Sequence, residues 1–191
     1  MQVDFSKVQA FPNAAAFDVW LVSNHAQSSE VWVRLFKKGS ETASMSWSEA
    51  VVAALAWGWI DGIKKSHDET SWLQRFTPRQ AKSGWSKINC AHAEKLILEG
   101  KMREPGLRAV LATKSDGRWD AAYASGATMQ FPEAFLSMLA ENAAAKSVFD
   151  KLGRGRLFSI YHRIQTARRE ETRQRIMTDF VWMLAEEEQS G

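Results

Sequence analysis

The chain has 191 residues, 45% of them hydrophobic and 25% charged, which suits one large globular domain or one domain with a smaller appendage and needs no metal or disulfide to complete a core. Its single cysteine, Cys90, excludes an internal disulfide, and no apolar run approaches the ~18 residues of a membrane span. The net charge of +3 is mild but uneven: residues 146–175 carry nine Lys/Arg against three acids, and residues 176–191 carry four acids and no base. Residues 1–13 show no basic start followed by an apolar stretch, so no secretory leader is expected and the cytoplasm is the expected compartment.

In chain order, Asn13 can cap a first helix whose Phe17, Trp20 and Leu21 fall on one face. Val31 to Phe36, β-branched and aromatic, reads as a mostly buried strand. Ser46 and Glu49 have capping-box spacing, and Trp47, Val51, Ala54 and Leu55 then repeat at helical spacing up to Gly58. Trp59 to Lys65 and Ser71 to Thr77 read as the two strands of a hairpin around the polar turn Ser66 to Thr70, with Pro78 as the stop. Ser86 can cap a helix ending near Gly100, and Pro105 opens another carrying Leu107, Val110 and Leu111. Residues 116–131 are a connection. Helices follow from Pro132, from Asn142, after Gly153-Arg154-Gly155, and through Ile176, Phe180, Met183 and Leu184.

Asp61 is the lone carboxylate of an apolar segment. In a regular strand Trp59, Asp61 and Ile63 share a face, so the carboxylate is partly desolvated and its pKa raised unless a cation compensates. Arg79, just past the paired strand, is the natural partner. The pair is either a structural ion pair or a site in which Asp61 acts as an acid, a base or a ligand-binding carboxylate. Arg79, Lys82, Ser83, Ser86 and Lys87 surround a helix start, where free N–H groups and the dipole favour an anion; a simply capped helix is the other reading. Trp57, Trp59, Trp72 and Trp85 are expected in the core, with Trp85, beside Gly84, as the exception. His25, His67, His92 and His162 are scattered, and no metal-ligand spacing, phosphate loop or nucleophile elbow occurs. No cofactor or metal is expected. The basic run Arg163 to Arg175 is either a solvated helix pair or a face for nucleic acid, anionic lipid or an acidic partner.

Taken together, Trp47-Ser48-Glu49-Ala50, Trp57-Gly58-Trp59-Ile60-Asp61-Gly62, Arg75-Phe76-Thr77-Pro78-Arg79, Ser83-Gly84-Trp85-Ser86 and Asn89 resemble the bacterial YdeI/OmpD-associated, or bacteriocin-protection, family. Gly100-Lys101-Met102, Asp116 to Asp120, Ala167-Arg168-Arg169 and Glu171-Thr172-Arg173 extend the resemblance over nearly the whole chain. It implies a role in tolerance of bacteriocins or cationic antimicrobial peptides and, by name, a porin association; it implies no reaction. It marks Asp61, Arg79, Ser83, Trp85, Ser86 and Asn89 as motif positions. Ala56 stands where many relatives carry Cys and His92 where many carry Arg, so neither a redox role nor an Arg grip is implied there.

The expected fold is α+β: a small antiparallel sheet of three or four strands with packed helices over residues 1–127, then a helical module over 128–191. The first functional reading is a non-enzymatic protein holding an anionic small molecule or a protein partner at Arg79, Ser83, Trp85, Ser86 and Asn89, with Asp61 beside them. The alternatives are an enzyme using Asp61 as acid or base on an anionic substrate, and nucleic-acid binding through residues 163–175.

Overall fold

In the computed structural model, which describes residues 2–190, the fold is α+β. Two units cluster separately, residues 2–85 with 89–121 and residues 86–88 with 122–190.

The first unit begins with a short turn, Phe5–Lys7, and strand β1, Val8–Ala10. Helix α1, Ala14–Asn24, starts where expected, with Asn13 Oδ1 accepting from the Ala16 N–H at 2.9 Å. It leads to β2, Val31–Phe36, and then α2, Trp47–Ala56. The capping box at the head of α2 is complete: the Glu49 N–H donates to Ser46 Oγ at 3.3 Å, and the Ser46 N–H donates to Glu49 Oε2 at 2.7 Å. Strands β3, Trp59–Ser66, and β4, Ser71–Pro78, form the hairpin. Its turn is fixed by Asp68, which accepts from Ser71 Oγ, from the Thr70 N–H and hydroxyl, and from Arg34. The Ser71 hydroxyl and these other donors hold the Asp68 carboxyl far below its usual range. Helix α3, Lys87–Leu98, which belongs to this unit from Asn89 on, and α4, Glu104–Ser115, complete the region.

The described strands form one sheet in the order β1-β2-β4-β3. The expectation of a purely antiparallel sheet is corrected here, because β1 pairs with β2 in parallel. A parallel pair needs a crossover, and α1 lies between these two strands in sequence. Across β2 and β4, Val31 faces Phe76, Val33 faces Gln74 and Leu35 faces Trp72. Phe17 and Leu21 of α1 and Ala50, Val51 and Ala54 of α2 join Val31, Val33, Leu35, Trp59 and Phe76 in one core cluster.

The second unit holds α5, Glu133–Ala140, α6, Ala143–Asp150, α7, Arg154–Thr166, and α8, Glu170–Ser190. Asn142 caps α6 through the Ala145 N–H at 3.0 Å. Phe135, Leu139, Ala145, Ile160, Ile164, Met177, Phe180, Val181 and Leu184 form its core. Residues 86–88 group with it through a parallel bridge between Ser86 and Tyr123, with the Lys87 N–H donating to the Tyr123 carbonyl at 2.9 Å.

Candidate functional site

The hairpin positions Asp61 through an irregularity. Asp61 pairs with Phe76, but Lys64 pairs with Gln74, so three residues of β3 span what two span on β4. Such a bulge moves every later side chain to the opposite face. The expected sharing of a face by Trp59, Asp61 and Ile63 therefore fails at Ile63, which is exposed, and Lys64 takes the position beside Asp61. Gln74, 3% exposed, braces the bulge by donating Nε2 to the Gly62 carbonyl at 2.9 Å.

A cavity of about 360 Å³ results, lined by Trp47, Asp61, Lys64, Trp72 and Gln74. Trp47 and Trp72 also border an adjoining hollow of about 570 Å³, lined by residues of the 36–46 loop. Trp47 Nε1 donates to Asp61 Oδ2 at 3.3 Å, and Lys64 Nζ lies 4.8 Å from the Trp72 ring centre. Trp47, expected on the apolar face of α2, is instead 48% exposed. It occupies the first position after the cap, where the side chain stands outside the helix's packed stripe.

Burial pushes the Asp61 carboxyl above its ordinary value. The Trp47 N–H, the Asp61 backbone N–H and, more weakly, the charge of Arg79 oppose that shift. A carboxyl whose folded pKa exceeds its unfolded one binds its proton more tightly in the folded chain. Its contribution is therefore lost as pH rises through the unfolded and then the folded pKa, and the ionised form costs stability above both. Asp61→Asn keeps an acceptor for Trp47 and removes the charge. Its denaturation midpoint should exceed the parent's at about pH 7 and meet it at about pH 3, where Asp61 is protonated in both states. A lower midpoint at neutral pH would mean that the ionised carboxylate is stabilised by its surroundings.

Arg79 takes a different position from the one expected. Its guanidinium carbon lies 3.8 Å from the Trp85 ring centre, and its Nη1 donates to the Gly84 carbonyl at 3.1 Å. Asp61 receives Trp47 rather than Arg79, whose charge reaches it only at range. Ser83 closes a turn, its Oγ accepting from the Gln80 N–H at 3.1 Å while its own N–H donates to the Gln80 carbonyl at 2.9 Å. The Ser83 carbonyl accepts from Arg118 Nη1 at 2.7 Å. Trp85, expected to stand out from its loop, is 2% exposed, with the Trp119 ring 5.0 Å away. Arg118, paired with Asp116 at 2.7 Å, lines with Arg79, Gln80, Trp85 and Thr113 a cavity of about 110 Å³. Asn89 is buried in the first turn of α3. Nearby, burial pushes the Cys90 thiol up to about 11, with Glu94 adding to the shift, so Cys90 is not a reactive thiolate at neutral pH. Arg79, Ser83 and Trp85 are thus brought together, Asp61 lines a separate cavity, and Ser86 bridges to Tyr123.

A fourth hollow, about 540 Å³, is lined by α1, α2, Leu96 of α3 and the loop that follows it. It is walled by Ala14, Ala15, Val52, Ala53, Ala56 and Leu96, with Asp18 and Arg103 among its polar lining residues. Asp18 accepts from Trp57 Nε1 at 2.6 Å and from Arg103 Nη2 at 3.2 Å. In the basic run, Arg163 lies 5.1 Å from the Phe180 ring centre, Arg173 donates to Glu170 at 2.9 Å, and Arg168, Arg169 and Arg175 are exposed. Among the described residues, no cluster of three or more His, Cys, Asp or Glu could hold a metal ion, and no helix is long and apolar enough to cross a membrane.

Residues 9–109 match the family model described as Domain of unknown function (DUF8412). Residues 128–187 match the one described as Bacteriocin-protection, YdeI or OmpD-Associated. No curated protein and no solved structure matches the chain. The resemblance to the bacteriocin-protection family over nearly the whole chain is therefore corrected to its C-terminal part. The motifs from Trp47 to Asn89 lie within residues 9–109, so a bacteriocin-protection role carries no site assignment onto Asp61, Arg79, Ser83, Trp85, Ser86 or Asn89.

Proposed function

The chain belongs to the family described as Domain of unknown function (DUF8412), and we propose that it works as a binding protein of the bacteriocin-protection type, holding a small anionic group, free or on a protein partner, at the Arg79 loop. Tolerance of bacteriocins or antimicrobial peptides would be the consequence of that binding. The supporting observation is that Arg79 and Arg118 line one cavity of about 110 Å³ with Trp85 among its walls. Both guanidiniums are already held in place, Arg118 by Asp116 and the Ser83 carbonyl and Arg79 by the Gly84 carbonyl and the Trp85 ring; such permanently charged groups suit carboxylate or phosphate oxygens, and the cavity admits a group of only a few heavy atoms. The match of residues 128–187 supports the bacteriocin-protection type.

Thermal shift with inorganic phosphate and with acetate tests this reading. A ligand bound only by the folded chain stabilises it by about 2.7 kcal/mol at a hundred times its Kd, so the parent's melting temperature should climb with concentration and that of Arg79→Ala should not. Equal shifts in both proteins would remove Arg79 from the site. A second reading, acid–base chemistry by Asp61, is favoured by its raised carboxyl and its cavity of about 360 Å³. With Arg79 as the cation that orients an anionic substrate, that reading needs both residues on one substrate, and they line separate cavities.

A further inference from the structure

We propose that the cleft between Trp47 and Trp72 is a second binding site, for an organic cation: a primary ammonium or guanidinium group that donates to Asp61 and packs on the indole of Trp47. The inference does not depend on the Arg79 cavity and concerns the opposite charge.

Three observations carry it. The first is the hydrogen-bonding state of Asp61. An ionised carboxylate offers about four acceptor positions, and in this cleft Asp61 accepts one side-chain hydrogen bond, a long one of 3.3 Å from Trp47. Desolvated acceptor capacity without a donor is unfavourable, and a cationic donor relieves it more strongly than a neutral one. The second is the position of Lys64, the cation nearest in the cleft lining. It makes no ion pair with Asp61 and lies instead over the face of Trp72, 4.8 Å from the ring centre. An ammonium therefore already rests on one indole of this cleft, while the Asp61 carboxylate that lines it is left to other donors. The third is the build of the walls. Trp47 is 48% exposed, lines the cleft and is anchored by its N–H, so its indole is held for a ligand at small entropic cost; a cation over an indole is the most favourable of the aromatic pairings. Gln74, 3% exposed and tied to the Gly62 carbonyl at 2.9 Å, fixes the floor. The cavity of about 360 Å³ admits the cationic head together with several methylenes, and the hollow that shares Trp47 and Trp72 leaves room for the remainder of a longer molecule.

The test is a titration by calorimetry and tryptophan fluorescence with n-butylammonium and n-butylguanidinium chloride, with n-butanol as the neutral analogue, and with a short lysine peptide blocked at both ends. The cations should bind saturably, at least tenfold more tightly than n-butanol. Asp61→Asn should lose at least tenfold in affinity while staying folded by circular dichroism. Lys64→Met, which removes the chain's own ammonium from Trp72, should bind as tightly as the parent or a few-fold more tightly. Arg79→Ala should bind the cations as the parent does, which separates failure here from failure at the anion cavity. If the peptide and the free amines both bind, the site reads the cationic head alone; binding by the peptide alone assigns the cation to a basic side chain. Equal affinity for n-butanol and n-butylammonium in the parent, or unchanged cation affinity in Asp61→Asn, overturns the proposal, as does the absence of binding by every cation.

Discussion

Gly106→Ala should destabilise the first unit by about 3 kcal/mol, the upper part of the range for forcing a methyl into a packed site. Helix propensity alone argues the other way, since alanine in a helix interior is favoured over glycine by about 1 kcal/mol. Packing reverses the sign. A Cβ on Gly106 would lie 2.3 Å from the Ala56 carbonyl oxygen, 2.9 Å from its carbon and 2.5 Å from Met102 Sδ. The methionine can rotate away, but the carbonyl is backbone at the end of α2 and also accepts from the Arg103 N–H at 3.1 Å. Gly58 meets the same junction from the other side: its φ is +73°, and a Cβ there would stand 3.0 Å from the Pro105 carbonyl oxygen. Relief would require α2 and α4 to separate. Urea denaturation gives the comparison directly, with Gly155→Ala as the control, because a Cβ at Gly155 meets nothing within 4 Å. The control should hold or raise the midpoint, whereas a Gly106→Ala midpoint at or above the parent's would show that the two helices can part at little cost.

Phe135→Ala should cost the second unit about 4 kcal/mol, the usual loss for a fully buried phenylalanine. Phe135 has no exposed surface and sits with Leu139, Ile160 and Ile164 in the core of the helical unit. Its ring lies 5.6 Å from that of Phe131 and 5.9 Å from that of Phe149. Truncation removes those edge and face contacts and opens a cavity that short helices such as α5 and α6 can fill only by moving. Loss of helical circular dichroism at lower denaturant is the expected signature, with Phe135→Leu losing less. A midpoint within about 1 kcal/mol of the parent would indicate that the core collapses onto the gap.

How far the sequence could be read follows from the range of the interactions involved. The start of α2 was readable because a capping box is complete within four residues, and Asn13 and Asn142 cap their helices for the same reason. The hairpin was readable because both strands and their polar turn are contiguous. Strand β1 gave no signal: Val8–Ala10 is too short to show alternation, and it is a strand only because β2 lies alongside. The candidate site was half legible. Asp61 stood out as a carboxylate among apolar residues, yet its companions Trp47, Lys64 and Gln74 did not, since the bulge that brings Lys64 to the face of Asp61 depends on the pairing of β3 with β4. Gly62 was the one local hint, because glycine inside a strand often marks a bulge. Trp85 misled in the other direction, its flanking glycine suggesting an open loop where Arg79 and Trp119 enclose it.

The sequence by itself determined the α+β class, the caps at Asn13, Ser46 and Asn142, the hairpin and the helical C-terminal region, all of which are set by periodicity and hydrogen bonds within a few residues. Only the tertiary structure decided that Asp61 and Arg79 line different cavities, that β1 runs parallel to β2, and that a side chain at Gly106 would meet the Ala56 carbonyl. Each of these depends on the distance between segments far apart in the chain, which packing fixes and local pattern does not encode.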